Sequence, residues 1–417
     1  MAAADRPGRM HRLVRGSLGG GRSGGLTGVT DLDRLLDFAA RSRLPGGGFG
    51  YLGDDGRVLP ERGQETWIVA RMTHVFGLAQ LTGRSGWVGP VRHGVTALAA
   101  GPLHDGARGG WYASTADDTK AAYVHAFAVL AGATATTAGA PGGRELLDEA
   151  LDVWQTRFWD DTEGLAVEEW DAGWTRLSDY RGTNANMHGV EASLAAADAL
   201  GDDDPRAARL RAQALRTVQR VVHGWAREGN WRLPEHFTAD WQPLPEYNRD
   251  EPAHPFRPYG VTVGHLFEWA RLALHVRAVT PAPPAWLLDD AVALFAAGAE
   301  RGWAADGHDG FPYTLDWDDR PVVTARMHWV LCEAVAAAET LGAVTGEASY
   351  GSLAAQWREH GEARFADPAT GSWHHELTPE GAVATGTWEG QPDAYHLAQV
   401  LLLSGRPVRG SVAAALR

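Results

Sequence analysis

One cysteine and one lysine in 417 residues remove several chemistries at the outset. Cys332 has no partner in the chain, so there is no disulfide framework, and its apolar helical surroundings predict a buried, inert thiol. Lys120 is the single candidate for a Schiff base or a phosphate-loop lysine, and no Gly-Lys-Ser/Thr motif surrounds it. No apolar run approaches the roughly 20 residues that cross a bilayer, so no membrane segment is expected. Arginines near the N-terminus are followed by glycine and small polar residues from Ser17 to Gly28 rather than by an apolar secretory core. A cytoplasmic location is the resulting expectation. The formal net charge of -14 disfavours nucleic acid as a partner, because phosphate binding needs a positive field.

What is present is a period. Alanine- and glycine-rich segments with helical apolar spacing recur around 64–82, 118–137, 185–200, 262–277, 322–342 and 390–404. More polar amphipathic segments alternate with them near 31–42, 87–100, 144–158, 204–226, 285–301 and 347–364. Ahead of the small-residue segments lie glycine turns flanked by aromatics, such as Gly47-Gly48-Phe49-Gly50-Tyr51 and Gly310-Phe311-Pro312-Tyr313, which read as short β-hairpins. Six pairs with the hairpins at one phase predict an all-α fold, a closed (α/α)6 barrel of six outer and six inner helices with the hairpins at one end. An open solenoid of helix pairs is the competing arrangement. Residues 1–28 fall outside the period and are expected to be a flexible arm, leaving 29–417 as a single barrel domain.

In such a barrel the first turns of the inner helices point into one pocket. Arg71, Tyr123, Asn184, His188, His265, Glu268 and His396 all occupy such positions. Histidine gives or takes a proton near neutral pH, and the positive partial charge of a helix N-terminus favours the neutral imidazole that acts as a base. His265 and Glu268 are spaced i, i+3, so the carboxylate is predicted to orient the ring. Arg71 needs a carboxylate such as Glu65 or an oxygen-rich ligand. Flat aromatic faces beside polar groups suit sugar rings, and of the 18 tryptophans Trp67, Trp329 and Trp388 lie on or beside inner segments. His374-His375-Glu376 is not expected to chelate, since adjacent hairpin residues face opposite ways, and neither a catalytic metal nor another cofactor is predicted.

Several strings together carry a resemblance. They are Glu65-Thr66-Trp67-Ile68-Val69-Ala70-Arg71-Met72-Thr73-His74, Arg181 through His188, Glu235-His236-Phe237 through Trp241, Phe256-Arg257-Pro258-Tyr259-Gly260 through Arg271, and Trp388 through His396. In this order they resemble the N-acylglucosamine 2-epimerase family, in particular its branch of mannose and sulfoquinovose isomerases, over about residues 46–404. The resemblance implies an (α/α)6 barrel, metal-independent chemistry, a monosaccharide substrate and two catalytic histidines at His265 and His396. It also implies pocket roles for Arg71, His188 and Glu268, with Arg257 and Tyr123 as additions.

The expected reaction is interconversion of D-mannose and D-fructose through a cis-enediolate, with His396 moving the carbon-bound proton and His265, steadied by Glu268, moving the oxygen-bound one. Epimerisation at C2 of mannose and glucose, or of a disaccharide, would use the same histidines. A glycoside hydrolase on the same toroid would need two pocket carboxylates roughly 5–9.5 Å apart, for which Asp117, Asp118, Glu168 and Glu169 are candidates. A non-catalytic scaffold is the remaining alternative.

Overall fold

Segments rich in small residues become helices that are buried on nearly every face, because only a thin side-chain layer lets six helices crowd around one axis. In the computed structural model, which describes residues 31–417, these are α2 (Thr66–Leu81), α4 (Ala122–Thr137), α6 (Thr183–Leu200), α8 (Val263–Val279), α10 (His328–Thr345) and α12 (Tyr395–Leu403). In α2 every residue from Thr66 to Ala79 is buried. The alternating helices bury one stripe each: α1 (Leu32–Ala40), α3 (Val88–Ala100), α5 (Gly143–Val153), α7 (Pro205–Val218), α9 (Trp286–Gly302) and α11 (Ala348–Arg364). In α1 that stripe is Leu35, Leu36, Phe38 and Ala39. α5 and α7 each run on into a wider π-helical turn, Trp154–Phe158 and Gln219–Ala226. Local signals set the starts: Asp31 caps α1, and Asp204 caps α7 with Pro205 at its first position. Inner and outer layers meet closely at Gly132, where a β-carbon would stand 2.8 Å from the Leu147 backbone.

The hairpins take a form that links neighbours. Loops fold back on themselves through single bridges such as Leu52 to Val58, Phe237 to Pro243, Leu315 to Pro321 and Leu377 to Val383. In addition, the two residues entering an inner helix pair antiparallel with the next repeat's loop. Lys120–Ala121 (β1) pairs with Glu169–Trp170 (β4), on the far side of the local hairpin formed by Trp159–Asp160 (β2) and Leu165–Ala166 (β3). Arg181–Gly182 (β5) pairs with His236–Phe237 (β6), Val261–Thr262 (β7) with Thr314–Leu315 (β8), and Arg326–Met327 (β9) with Glu376–Leu377 (β10). A bridge from Glu65 to Ser114 extends the series backwards.

The last repeat returns to the first. Gln391 donates its backbone N–H to the Leu52 carbonyl at 3.0 Å, Tyr51 donates its hydroxyl to the Glu389 carbonyl at 2.6 Å, and α12 packs on α2. The ring is therefore closed, an (α/α)6 barrel and not an open solenoid. At the opposite end the short helix α13 (Val412–Ala415) packs Val412 and Ala413 against Leu78 and Leu402. Among the described residues no helix is long and apolar enough to cross a membrane. The expected N-terminal arm lies outside the described residues.

Candidate active site

Inner helices that all begin at the hairpin end put their first turns around one cavity of about 610 Å³, counting its open mouth. His265 on α8 and His396 on α12 both line it, and both rings lie against the indole of Trp329, at centroid distances of 5.3 and 5.6 Å. Each has its Nδ1 tied to a buried carboxylate. His265 Nδ1 meets the two oxygens of Glu235 at 2.8 and 2.9 Å, and His396 Nδ1 meets Glu333 Oε1 at 2.9 Å. With Nδ1 donating its hydrogen, Nε2 is the nitrogen left for a substrate.

Burial lowers the proton affinity of His396, against the pull of Glu333, so the ring is biased towards the neutral form that accepts a proton. Glu333 is held down to about 2: burial alone would raise it, but Arg271 and His396 outweigh that. Glu235 is likewise lowered against its burial by His265.

Arg71 on α2 is the fixed cation of the pocket wall. Its guanidinium donates to Asp393 Oδ2 at 3.1 Å and to the Tyr123 hydroxyl at 2.9 Å. It also sits among the rings of Trp67, Phe127 and Tyr395. Burial would weaken its charge, yet Tyr123, Asp393 and Tyr395 more than offset this and its pKa is raised. The carboxylate expected from sequence, Glu65, instead accepts from the Trp67 indole at 2.6 Å.

His188 lies 3.5 Å from Glu191 through Nδ1, and burial lowers its pKa to about 4. The ring is therefore neutral, as expected of an imidazole near a helix N-terminus, and a neutral ring can accept a hydrogen bond from a hydroxyl. Asn184 and Trp388 also line the cavity, and among the described residues Asn184 Oδ1 and Trp388 Nε1 have no hydrogen-bond partner. Such orphaned groups suit sugar hydroxyls.

Two expectations need correction. Glu268 lines the cavity but does not orient His265. The imidazole turns instead to Glu235, on the segment before β6, while Glu268 lies 3.8 Å from His188 and 3.7 Å from Arg271. Arg257 does not line the cavity at all, although Phe256 and Pro258 on either side of it do. Its guanidinium stacks 4.2 Å from the Tyr180 ring and approaches Glu169 at 3.4 Å, where an aromatic face and a carboxylate stabilise the charge.

This arrangement has relatives. Residues 47–400 match the sequence profile of the N-acylglucosamine 2-epimerase (GlcNAc 2-epimerase) family. The chain belongs to the N-acylglucosamine 2-epimerase family. It is 51% identical over 391 residues to a D-mannose isomerase of Thermobifida fusca, covering 92% of this chain and 94% of that one. It is 44% identical to a D-mannose isomerase of Pseudomonas cannabina pv. alisalensis, covering 92% and 93% of the two chains. A crystal structure of a D-mannose isomerase superposes with a TM-score of 0.81 at 27% identity, over 88% of this chain and 94% of that one.

For this member of the N-acylglucosamine 2-epimerase family, sequence reasoning missed His328 and His375 in the cavity wall. Their rings stack at 3.8 Å, and burial first, then the neighbouring histidines, keep both neutral. His328 is the first residue of α10, the same signal that marked His396 on α12. Ligand atoms of His188, Glu191 and Glu268, and of Glu268, Glu333 and His396, approach closely enough to hold a cation. Glu333 and Glu191 read as hydrogen-bonded carboxylates and not metal ligands, because Arg271 donates to Glu333 at 2.9 Å and both Gln399 and Tyr395 donate to Glu191.

Gly264 makes room for the indole between the two histidines, since a β-carbon there would stand 2.2 Å from Trp329 Cζ3. Gly264→Ala is expected to displace that ring, lowering kcat by about tenfold and stability by about 1–3 kcal/mol, as for an overpacked site. Tryptophan fluorescence beside steady-state kinetics checks it. Unchanged emission and kcat would show that the indole position is immaterial.

Proposed function

We propose that this chain interconverts D-mannose and D-fructose through a cis-enediolate. The observation that carries the reading is the pair of carboxylate-backed imidazoles, His265 and His396, facing one cavity beside the buried cation Arg71. The D-mannose isomerase relatives at 51% and 44% identity over 92% of the chain support the choice of sugar.

His396 Nε2 removes the proton from C2 of the open-chain aldose. The C–H electron pair becomes the C1–C2 double bond, and the former carbonyl pair moves to O1. His265, its Nδ1 held by Glu235, carries the proton from O2 to O1. His396 then returns its proton to C1 as the O2 electrons form the new carbonyl at C2. Charge that builds on the oxygens meets Arg71, a donor already in place and largely shielded from water. His188, Asn184 and Trp388 hold the remaining hydroxyls, and the Trp329 face carries the carbon chain past the two imidazoles.

Aromatic crowding in the cavity lining supports a monosaccharide over a disaccharide. Phe256 closes edge-on against Trp67, Tyr123 and Trp388 at 6.0, 5.3 and 5.3 Å. A hydrolase finds no acid pair in its named candidates: Asp117 and Asp118 are exposed, and Glu168 and Glu169 lie outside the cavity lining.

Proton NMR of the protein with D-mannose in deuterated water tests the proposal. Fructose should accumulate as the main product, with deuterium entering at C1 and C2 to the extent that His396 exchanges with solvent. Glucose as the main product would replace isomerisation by 2-epimerisation, and an unchanged spectrum would overturn mannose as substrate.

A further inference from the structure

Three carboxylates lie buried beneath the cavity, and their hydrogen bonds are unequal. Glu333 on α10 has one oxygen on His396 Nδ1 and the other on Arg271 Nε, each at 2.9 Å. Glu191 on α6 accepts from Gln399 at 3.0 Å, from the Tyr395 hydroxyl and from His188. Glu268 on α8 is 1% exposed and, among the described residues, its Oε1 has no hydrogen-bond partner. Arg271 Nη2 stands 3.7 Å away, beyond hydrogen-bond reach, and among the described residues is itself without an acceptor.

The groups that act on Glu268 come from every side. Glu333 and Glu191 oppose its ionisation, while Arg271, one turn on, and Arg71, across the axis, favour it, and the neutral ring of His188 stands 3.8 Å from its Oε1. Tyr123 and Tyr395 approach as neutral phenols from α4 and α12. A buried carboxyl whose Oε1 has no donor, next to two anions that have theirs, keeps its proton. The net direction agrees: burial first, then Glu333, push Glu268 well above the usual carboxylate range.

We propose that Arg271 sorts these acids, fixing Glu333 as the anion behind His396 and leaving Glu268 as a carboxylic acid that presents an O–H to the bound sugar. Arg271 is thus a positioning residue, and Glu268 is a hydrogen-bond donor to the oxygen on which charge develops, not a base or a partner of His265. A carboxylic acid kept neutral by an apolar, anionic surrounding is a known form of oxyanion donor. The sugar contact rests on the isomerase reading, whereas the protonation pattern does not.

Infrared difference spectroscopy of the substrate-free protein at neutral pH reads the pattern directly. A protonated-carboxyl band should be present, distinct from any given by the buried Glu168, whose pKa is pushed up to about 7, and Glu268→Gln, a near-isosteric change, should remove it. Absence of the band, or its survival in Glu268→Gln, overturns the proposal whatever the substrate proves to be. Arg271→Gln should add a second such band as Glu333 takes up a proton, and Arg271→Lys should return the spectrum to one. No second band would remove Arg271 from the role. On D-mannose, Glu268→Gln retains a donor and should stay within about tenfold of the parent kcat, while Glu268→Met should lose about 10²-fold. Equal losses in the two variants would mean that the charge of Glu268, not its hydrogen, is what the reaction uses. Failure of mannose turnover alone would count against the isomerase reading and leave the infrared result standing.

Discussion

His396→Asn is expected to lose about 10³-fold or more in kcat on D-mannose, with KM within a few-fold, because it removes the only imidazole assigned to the carbon-bound proton. Asparagine keeps a polar group against Glu333, and Glu333 keeps Arg271 at 2.9 Å, so the variant should remain folded. Solvent deuterium should no longer enter C1 or C2. The unmodified protein should show the matching pH profile: kcat/KM falls on the acid side where His396 becomes protonated, with its limb below the ordinary histidine value of about 6.5. The sign follows from burial, which disfavours the imidazolium more than Glu333 favours it. Retention of a tenth of the activity by His396→Asn would assign the proton to another group, and His328 and His375, both in the cavity wall, are the next candidates.

The second large effect is expected at Arg71. Arg71→Met should lower kcat by about 10²–10³-fold, because among the described residues no other arginine lines the cavity to meet charge on the enediolate oxygens. It should also destabilise the protein by about 3–5 kcal/mol, since it strands the buried carboxylate of Asp393. Asp393 Oδ1 would retain only the backbone N–H of Tyr395, at 2.7 Å. The double variant Arg71→Met/Asp393→Asn separates the two consequences. Thermal unfolding should recover towards the parent while kcat stays low. Recovery of activity along with stability would make Arg71 a structural strut and leave oxyanion stabilisation to other donors.

Much of the architecture was legible along the chain. Burial on all faces imposes small residues on an inner helix, and one buried stripe imposes an amphipathic pattern on an outer one. The predicted alternation therefore lands on the observed elements within a few residues, as with 185–200 against Thr183–Leu200. The inner helices enter at the hairpin end, so the turn residues before each also marked which of its residues would face the cavity. That reasoning placed Arg71, Tyr123, Asn184, His188, His265, Glu268 and His396 around one space, and all seven line it.

The pairings were not legible. The spacing of His265 and Glu268 satisfied a rule for neighbours on one helix, yet the ring turned to Glu235, 30 residues away, and His396 found Glu333, 63 residues away. Arg257, next to two cavity residues, turned outward to Tyr180 and Glu169. Periodicity is a local property, and the sequence by itself determined the helix count, the layer of each helix and the end that carries the chemistry. Which carboxylate serves which imidazole was decided only by the tertiary structure. It depends on how the loop that carries Glu235 and the helix that carries Glu333 pack against their neighbours in the closed ring, which local periodicity does not encode.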